Sequence, residues 1–311
     1  MPEDMQQPPR TFSSPIDFQA LGERLRAYRI GASLQAEDVA EQLGVSRAVV
    51  YRMEKGEIVK IETLERLAQL LGTSMASLLD VEVEYYPTVT GFLERMRQIE
   101  QGADRIISHF EPISLLLTSD DYLQDLRVML LESSPPPVMG KSAQAGSAAH
   151  RAGVEQILQL LQERKAFFAQ RRPNIVSLIG LRELERFVYT GLVGRLDLPE
   201  ALRAQRVQAA RREVRWIADL MASQPMNVQI GLVDDAMPAA TFQLLQGAGR
   251  SVLALSPFRF GELPNVRNGI ATVTASPEAV GLYESMMERL WKSAYKGQAG
   301  AQHLRKLLDR L

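Results

Sequence analysis

The sequence predicts a multidomain chain, with an all-α domain of five short helices followed by a larger α/β or α+β domain. Its 311 residues are enough for two hydrophobic cores, and a composition of 46% hydrophobic and 23% charged residues is typical of a globular protein. Apolar residues recur at helical spacing between residues 17 and 82. Further along, short apolar runs typical of strands alternate with longer helical patterns, which favours a sheet packed against helices.

Changes in composition suggest where the domains begin and end. Residues 1–16, rich in proline, predict a disordered arm, and residues 17–82 form the helical domain. Residues 83–133 are interpreted as a connecting helix and the first part of the second domain. Residues 134–151, rich in Pro, Gly, Ser and Ala, predict a flexible linker or loop. Residues 152–311 complete a C-terminal domain for which we expect a sensing and dimerisation role.

The five N-terminal helices each have an apolar face and a signal for starting or stopping. They are predicted at about 17–30 and in the stretches QAEDVAEQLG, SRAVVYRMEK, KIETLERLAQLLG and SMASLLD. The second and fourth helices, in QAEDVAEQLG and KIETLERLAQLLG, are each followed by a glycine, a common residue just after a helix. Ser46 can cap the start of the third helix.

The second domain is predicted as alternating helices and strands. Helices are expected at about 89–110, 119–133, 152–170, 181–191, 198–223, 277–295 and 299–311, and strands at 113–117, 174–180, 227–234, TFQLLQ, SVLALSPF and IATVTAS. In the first of these helices, apolar residues from Phe92 to Phe110 are spaced like a short coiled-coil seam. That seam fits packing within the chain, and it also fits a dimer contact.

Several functional classes are disfavoured by what the sequence does not contain. It has no cysteine, which excludes disulfides and thiolate metal sites, and its three histidines are dispersed. The stretch MPEDMQQPPRTFSSP has no apolar core of a signal peptide, and no run approaches the roughly 18 apolar residues of a membrane span. No phosphate-binding or nucleophile-elbow motif occurs. We expect a cytoplasmic, nucleoid-associated protein without membrane contact, metal, cofactor or catalytic residues, and hence not an enzyme.

The third helix presents an unusual polar face. At about 100° per residue, five positions fall on one side of it, opposite Val50 and Met53: Arg47, Ala48, Tyr51, Arg52 and Lys55. Together with the preceding helix and the turn at Gly44, this arrangement fits a helix-turn-helix, whose second helix lies in the DNA major groove.

The residue types on this face suit particular groups of DNA. Arg47 or Arg52 can pair with a guanine edge, and Ala48 or Val49 can touch a thymine methyl group. Tyr51 and Lys55 suit phosphates, as does Gln35 at the start of the preceding helix. The alternative is a solvated face of an ordinary helical bundle, and the net charge of −4 over residues 1–82 strengthens it, because nine basic residues face thirteen acidic ones. Spacing alone leaves both interpretations open.

Over residues 18–80 the sequence resembles the Xre/Cro/C1-type (lambda-repressor-like) helix-turn-helix family. The residues that match are Gln35, Ala40, Gly44, Val45, Ser46, Val50, Glu54 and Gly56, followed by the Leu-Ala-x-Leu-Leu-Gly of the fourth helix. The resemblance implies five helices, a contact set that includes Ser46 beside the positions already named, and base contacts from Arg47, Ala48, Tyr51 and Arg52. It also implies that Gln35 supports the third helix and touches a phosphate. Val49 and Tyr51 are bulkier than the Ser or Thr common in the family, so the operator sequence is not implied.

The second domain more weakly resembles the uncharacterised C-terminal domain of actinobacterial Xre-type regulators. FEPISLLLTSDDYLQDL, NIVSLIGLRELERFV and EAVGLYESMMERLWKSA are similar to parts of that domain, although ISLLLTS replaces a stretch usual there. The resemblance implies sensing or partner binding. Candidate ligand-binding residues are Phe258 and Arg259 in a loop after a strand, and Asp234 at a strand end. Ordinary packing of the Phe and solvation of the charged side chains are the alternatives.

The combined hypothesis is a sequence-specific regulator of transcription. We expect it to bind a pseudo-palindromic operator on double-stranded DNA as a homodimer, with repressor favoured over activator, and to respond through its C-terminal domain to a small-molecule effector or a protein partner. The alternative is an antitoxin or phage-type regulator whose C-terminal domain binds a protein. An enzyme with a DNA-binding anchor is a further rival, and a structural role on the chromosome is a more distant one.

Overall fold

Five helices precede an eight-stranded sheet in the computed structural model, which describes residues 17–57, 60–79, 83–133 and 143–310. The predicted arm at 1–16 lies outside these residues. The N-terminal helices are α1 (Phe18–Gly31), α2 (Ala36–Leu43), α3 (Arg47–Glu54), α4 (Ile61–Leu70) and α5 (Met75–Leu79). All five were predicted from the sequence and are confirmed.

The starts and stops of these helices follow the expected local chemistry. The Asp17 carboxylate accepts a hydrogen bond from the Ala20 amide at 3.0 Å, which caps α1. The Ser46 hydroxyl accepts one from the Val49 amide at 3.4 Å, which caps α3. Gly44 ends α2 with a φ of 69°, in the left-handed region that suits glycine. The turn between α2 and α3 is therefore set by local sequence.

One mixed sheet forms the centre of the second domain. Its strands are β1 (Glu84–Tyr86), β2 (Arg105–His109), β3 (Asn174–Gly180), β4 (Val228–Val233), β5 (Thr241–Gly247), β6 (Arg250–Ser256), β7 (Ala271–Thr274) and β8 (Tyr295–Lys296). Their spatial order is β1-β7-β6-β5-β2-β3-β4-β8, in which β2, β3 and β4 are parallel and the other pairs antiparallel. This arrangement confirms the α/β class.

Helices cover both faces of the sheet. They are α6 (Val89–Gly102), α7 (Tyr122–Glu132), α8 (Ala143–Arg171), α9 (Leu181–Thr190), α10 (Glu200–Ser223), α11 (Pro277–Ser293) and α12 (Gly297–Arg310). The neighbours Leu178 and Ile179 of β3 belong to separate apolar clusters, because successive strand residues point to opposite faces. One cluster lies under α11, and the other is shared with α6, α10 and α12.

Two predicted elements differ from the structure. The helix expected over 89–110 ends at Gly102, and β2 begins at Arg105, where the β-branched Ile106 and Ile107 lie in the sheet. The strand expected at 113–117 is a loop with a short 3₁₀ helix at Leu115–Leu117. In this loop the carbonyl oxygen of Leu117 accepts a hydrogen bond from Trp216 Nε1, at 2.9 Å.

The predicted linker at 134–151 is wrong for its second part. Residues 143–151 are helical and belong to α8, while 134–142 lie outside the described residues. Alanines are frequent in this stretch, and alanine is the strongest helix former, so the composition that suggests a linker also supports a helix. Strands β1 and β8, with three and two residues, were not predicted. The GAGRS stretch at 247–251 contains the tight turn between β5 and β6.

The two domains share one continuous apolar interface, formed by α1 with β1 and α6. The rings of Tyr28 and Tyr86 stack with centroids 4.8 Å apart, and the Tyr28 hydroxyl accepts a hydrogen bond from the Tyr85 amide. A Cβ built on Gly91 would lie 3.0 Å from the Cα of Gly31, so the two helices cross at backbone contact. Phe92 and Met96 of α6 are buried within the chain, which resolves the predicted seam in favour of internal packing.

Buried ion pairs add charge to this interdomain interface. Arg95 of α6 donates to both carboxylate oxygens of Glu84 at 2.8 and 2.9 Å, and Arg24 of α1 lies 3.7 Å from the same carboxylate. The Tyr86 hydroxyl also donates to Glu84, at 2.5 Å. A second carboxylate, Glu94 of α6, accepts from Arg26 of α1 at 3.0 Å. The N-terminal domain is therefore fixed to the second domain by packing and by charge.

Candidate nucleic-acid interface

The outer side of α3 matches the face that the sequence predicts. Val50 and Met53 are buried beneath the helix. Five side chains are exposed on the opposite side, and we call them the α3 face: Arg47, Ala48, Tyr51, Arg52 and Lys55. A single helix of this size fits the major groove of DNA, and its exposed side chains would be the ones in contact.

The backbone of α1 is in close contact with the backbone at the end of α3, and this contact fixes the position of α3. A Cβ built on Gly22 of α1 would lie 2.6 Å from the Gly56 amide nitrogen and 2.7 Å from the Glu54 carbonyl oxygen. The Glu54 side chain accepts two hydrogen bonds from the Arg29 guanidinium, at 2.5 and 3.2 Å. The partner of Glu54, one of the residues that match the family, is thus a side chain of α1. Its role is structural, because it orients α3.

Arg47 is held by two neighbours on the protein surface. Its guanidinium donates to the Tyr51 hydroxyl at 2.8 Å and lies 5.1 Å from the centroid of that ring. It also pairs with the Glu37 carboxylate of α2 at 2.7 Å. The hydrogen bond to Tyr51 and the charge of Glu37 raise the pKa of Arg47 above its usual value. Arg47 is therefore fully charged, and it must leave Glu37 to pair with a base.

Arg52 has an acidic partner as well. Its Nε donates to the Glu57 carboxylate at 2.6 Å, just after the end of α3. This hydrogen bond lowers the pKa of the exposed Glu57 below its usual value. Neither acidic partner was predicted from the sequence, although Glu57 lies only five residues from Arg52. Their presence explains how a domain with a net negative charge holds two arginines in place on one helix.

The other predicted contact residues surround the α3 face at different depths. Gln35 is exposed just before α2, and its backbone amide donates to Asp38 at 2.6 Å. Ser46 is exposed and caps α3. Val49 is half-buried and packs against the hydrophobic core, so it is the least accessible of the set.

A groove separates the α3 face from the second domain. It has a volume of about 560 Å³, and its walls include Gln35 and Tyr51 on one side and Gln156, Gln159 and Glu163 of α8 on the other. Contacts from α8 were not foreseen, because its position beside α3 depends on the tertiary packing of α8 against α6. A DNA backbone lying next to Gln35 would approach α8.

The three candidate ligand-binding residues do not form a common site. Phe258 is fully buried, with its ring 6.1 Å from that of Phe92, and belongs to the core. Arg259 is exposed and lies 3.5 Å from the Glu111 carboxylate. Asp234 is exposed after β4, beside Asp235. Among the described residues, no group of three or more His, Cys, Asp and Glu side chains is arranged to hold a metal.

A family model described as a helix-turn-helix domain matches residues 20–80, the region from α1 to α5. A search of curated proteins finds no match to the chain. In the part of the chain that the structure describes, no helix combines the length and the apolar character needed to cross a membrane. The chain thus carries an N-terminal helix-turn-helix domain, which indicates a DNA-binding regulator.

Proposed function

We propose that the protein is a sequence-specific regulator of transcription that reads double-stranded DNA with the α3 face. The observation on which this rests is the exposure of two arginines, a tyrosine and a lysine on one helix, with its apolar side buried in a helix-turn-helix domain. Arg47 and Arg52 would contact guanine edges, and Ala48 a thymine methyl group. Gln35 and Lys55 would bind phosphates, Tyr51 would contact a base as in the Xre/Cro/C1-type contact frame, and Ser46 belongs to the same contact set.

The proposal includes a homodimer acting as a repressor. One α3 contacts only a few base pairs, and the domain carries excess negative charge that weakens non-specific attraction to DNA. Two copies placed one helical turn apart, about 34 Å, would double the contacts and require a pseudo-palindromic operator. A second domain fixed to the first through a buried interface supports modulation by an effector or partner. Catalysis is not part of the proposal, and a cytoplasmic, nucleoid-associated location is.

Genome-wide occupancy of the wild type beside the double variant Arg47→Ala/Arg52→Ala tests the proposal. We expect a few sharp peaks that share an inverted repeat in the wild type and are absent in the variant. Each lost arginine–guanine contact costs about 1–3 kcal/mol, so the double variant should lose roughly a hundredfold or more in operator affinity. Transcript levels of the neighbouring genes should rise in the variant if the protein represses.

A matched control is Arg203→Ala/Arg215→Ala, which removes two exposed arginines from α10. This variant has the same change in charge and should keep the wild-type peaks. Diffuse occupancy in the wild type, or peaks that persist in the α3 variant, would contradict the proposal. Co-purification with one protein and no DNA peaks would instead favour an antitoxin.

A further inference from the structure

A groove with mixed polar and apolar walls lies in the second domain, away from the α3 face. Its volume is about 700 Å³, within the usual range for small-molecule sites. The walls come from the C-terminal half of α8, from α10, from the start of β4 and from the loop at residues 117–120. Phe168, Trp216, Leu220 and Val228 supply an apolar surface, and Trp216 keeps 43% of its surface exposed.

The floor of the groove is rigid and built from hydrogen bonds. The Lys165 ammonium donates to Thr118 O, Thr118 Oγ1 and Ser119 O at 2.7, 3.0 and 2.7 Å. The indole N–H of Trp216 donates to Leu117 O at 2.9 Å, which holds the ring in the wall of the groove. Because Lys165 uses its three N–H groups on this loop, it is not the group that would bind a ligand.

Arg172 gives the groove its free positive charge. It follows the end of α8, is exposed, and lines the groove together with Asp120 and Lys165. Among the charged side chains that line the groove, Asp120 and Lys165 have opposite signs, and the guanidinium of Arg172 is the remaining charge. A fixed aromatic ring, an apolar wall and one guanidinium are complementary to an aromatic body with a carboxylate. We infer that this groove binds an aromatic organic monoanion.

Helix α8 links this groove to the DNA-facing one. Lys165 and Phe168 line the ligand groove, and Gln159 and Glu163, less than two turns earlier, line the groove beside α3. Between them, Arg164 forms a buried pair with Glu100 of α6, at 2.6 and 2.9 Å. A ligand that shifts α8 therefore changes the wall beside the DNA. This regulatory consequence rests on the proposed function, whereas ligand binding itself does not.

Fluorescence of Trp216 tests binding without DNA. The chain has two tryptophans, so Trp291→Phe leaves Trp216 as the single reporter. The probe is biphenyl-4-acetate, and biphenyl-4-acetamide is its neutral counterpart. We expect a saturable change in Trp216 emission, with the carboxylate binding roughly tenfold more tightly than the amide because of its charged hydrogen bond to Arg172.

Two variants locate the binding. Arg172→Gln should weaken the carboxylate roughly tenfold and leave the amide unchanged. Ala169→Phe adds a ring on an exposed position of the α8 wall and should block both probes without disturbing the core. The control is Arg215→Gln, next to Trp216 but outside the groove, and it should bind like the parent. Absence of saturable emission change, or equal binding of carboxylate and amide, would overturn the inference.

A second readout separates this inference from the proposed function. Operator affinity of the full chain is measured with and without saturating biphenyl-4-acetate, and we expect a change of at least roughly threefold that Ala169→Phe abolishes. If the protein binds DNA but not the probe, the inference of a ligand site in this groove is overturned and the proposed function is unaffected. If the protein binds the probe but not DNA, the proposed function is contradicted and the ligand site is supported.

Discussion

Arginine–glutamate pairs occur both on the α3 face and at the interdomain interface, but in opposite surroundings. The side chains of Arg47 and Glu37 are 59% and 53% exposed, whereas those of Arg95 and Glu84 are 5% and 2% exposed. Exposed pairs contribute about 0–1 kcal/mol and are weakened by salt. Breaking a buried pair by removing one partner costs about 3–5 kcal/mol, because the other charge is left without compensation.

This difference in exposure gives the arginine–glutamate pairs different roles in the two places. On the α3 face, Glu37 and Glu57 hold arginines that DNA can take over at little cost. At the interdomain interface, Glu84 and Glu94 join α6 to α1 and fix the orientation of the whole N-terminal domain. The arginines of the exposed pairs can therefore change partners when DNA binds, whereas the buried pairs stay intact in the folded protein. The following variants test that distinction, from the largest expected effect to the smallest.

Glu84→Gln should cause the largest loss of stability. The amide keeps the shape of the side chain but leaves Arg24 and Arg95 buried without a full counter-charge. We expect the free energy of unfolding to fall by about 3–5 kcal/mol, as measured by urea denaturation of the full chain.

The matched control is Glu155→Gln, which breaks the exposed pair between Arg127 and Glu155. Its side chains are 43% and 52% exposed, so the change should stay within about 0.5 kcal/mol. Equal losses in the two variants would mean that burial does not distinguish the pairs.

Acid should weaken the interdomain interface through Glu94. Burial alone raises the pKa of this carboxyl, but hydrogen bonds and charge from Arg97, with the charge of Arg26, outweigh it and lower the pKa below its usual value. The stabilisation is therefore present above about pH 4.3, the ordinary glutamate value, and is lost as the pH falls through the lowered pKa.

Urea midpoints between neutral pH and pH 3 check this expectation. The wild type should lose stability more steeply than Glu94→Gln, whose amide does not titrate, so the two curves converge in acid. Parallel curves would show that the charge of Glu94 does not stabilise the fold.

Glu37→Gln should have the smallest effect, and it should strengthen DNA binding, whereas the preceding variants lower stability. Removing the acidic partner frees Arg47 and removes one negative charge beside the DNA. We expect operator affinity to rise about threefold at low salt and the gain to shrink at high salt. Fluorescence anisotropy with a labelled operator measures it. Unchanged or weaker binding would indicate that Glu37 positions Arg47 for its base.

The N-terminal domain could be predicted nearly element by element because its information is local. Caps such as Ser46, the glycine at 44 and the spacing of Val50 from Met53 define helices within a few residues of each other. The residues of the α3 face follow from the same periodicity. The acidic partners of its arginines do not, since Glu37 belongs to another helix and its distance from Arg47 depends on how α2 crosses α3.

The second domain was harder to predict because distant contacts decide its structure. Ile106 and Ile107 continue a helical pattern in sequence, but neighbouring strands recruit them into β2. Leu115–Leu117 look like a strand, yet Trp216 and Lys165 bond to the loop that contains them. The ligand groove has the same origin, since its walls come from α8, α10, the start of β4 and the loop at 117–120, which only folding brings together.

The position of β1 at the edge of the sheet sets an order of assembly during synthesis. Glu84 pairs with Val273, so the strand that carries the central carboxylate of the interdomain interface finds its sheet partner only after residue 273 has been added. At typical elongation rates this is on the order of ten seconds or more after residue 84 is added. During that interval α1, α2 and α3 can already pack on one another, because their mutual contacts need no later part of the chain. The α3 face can therefore form before the interface between the two domains is complete.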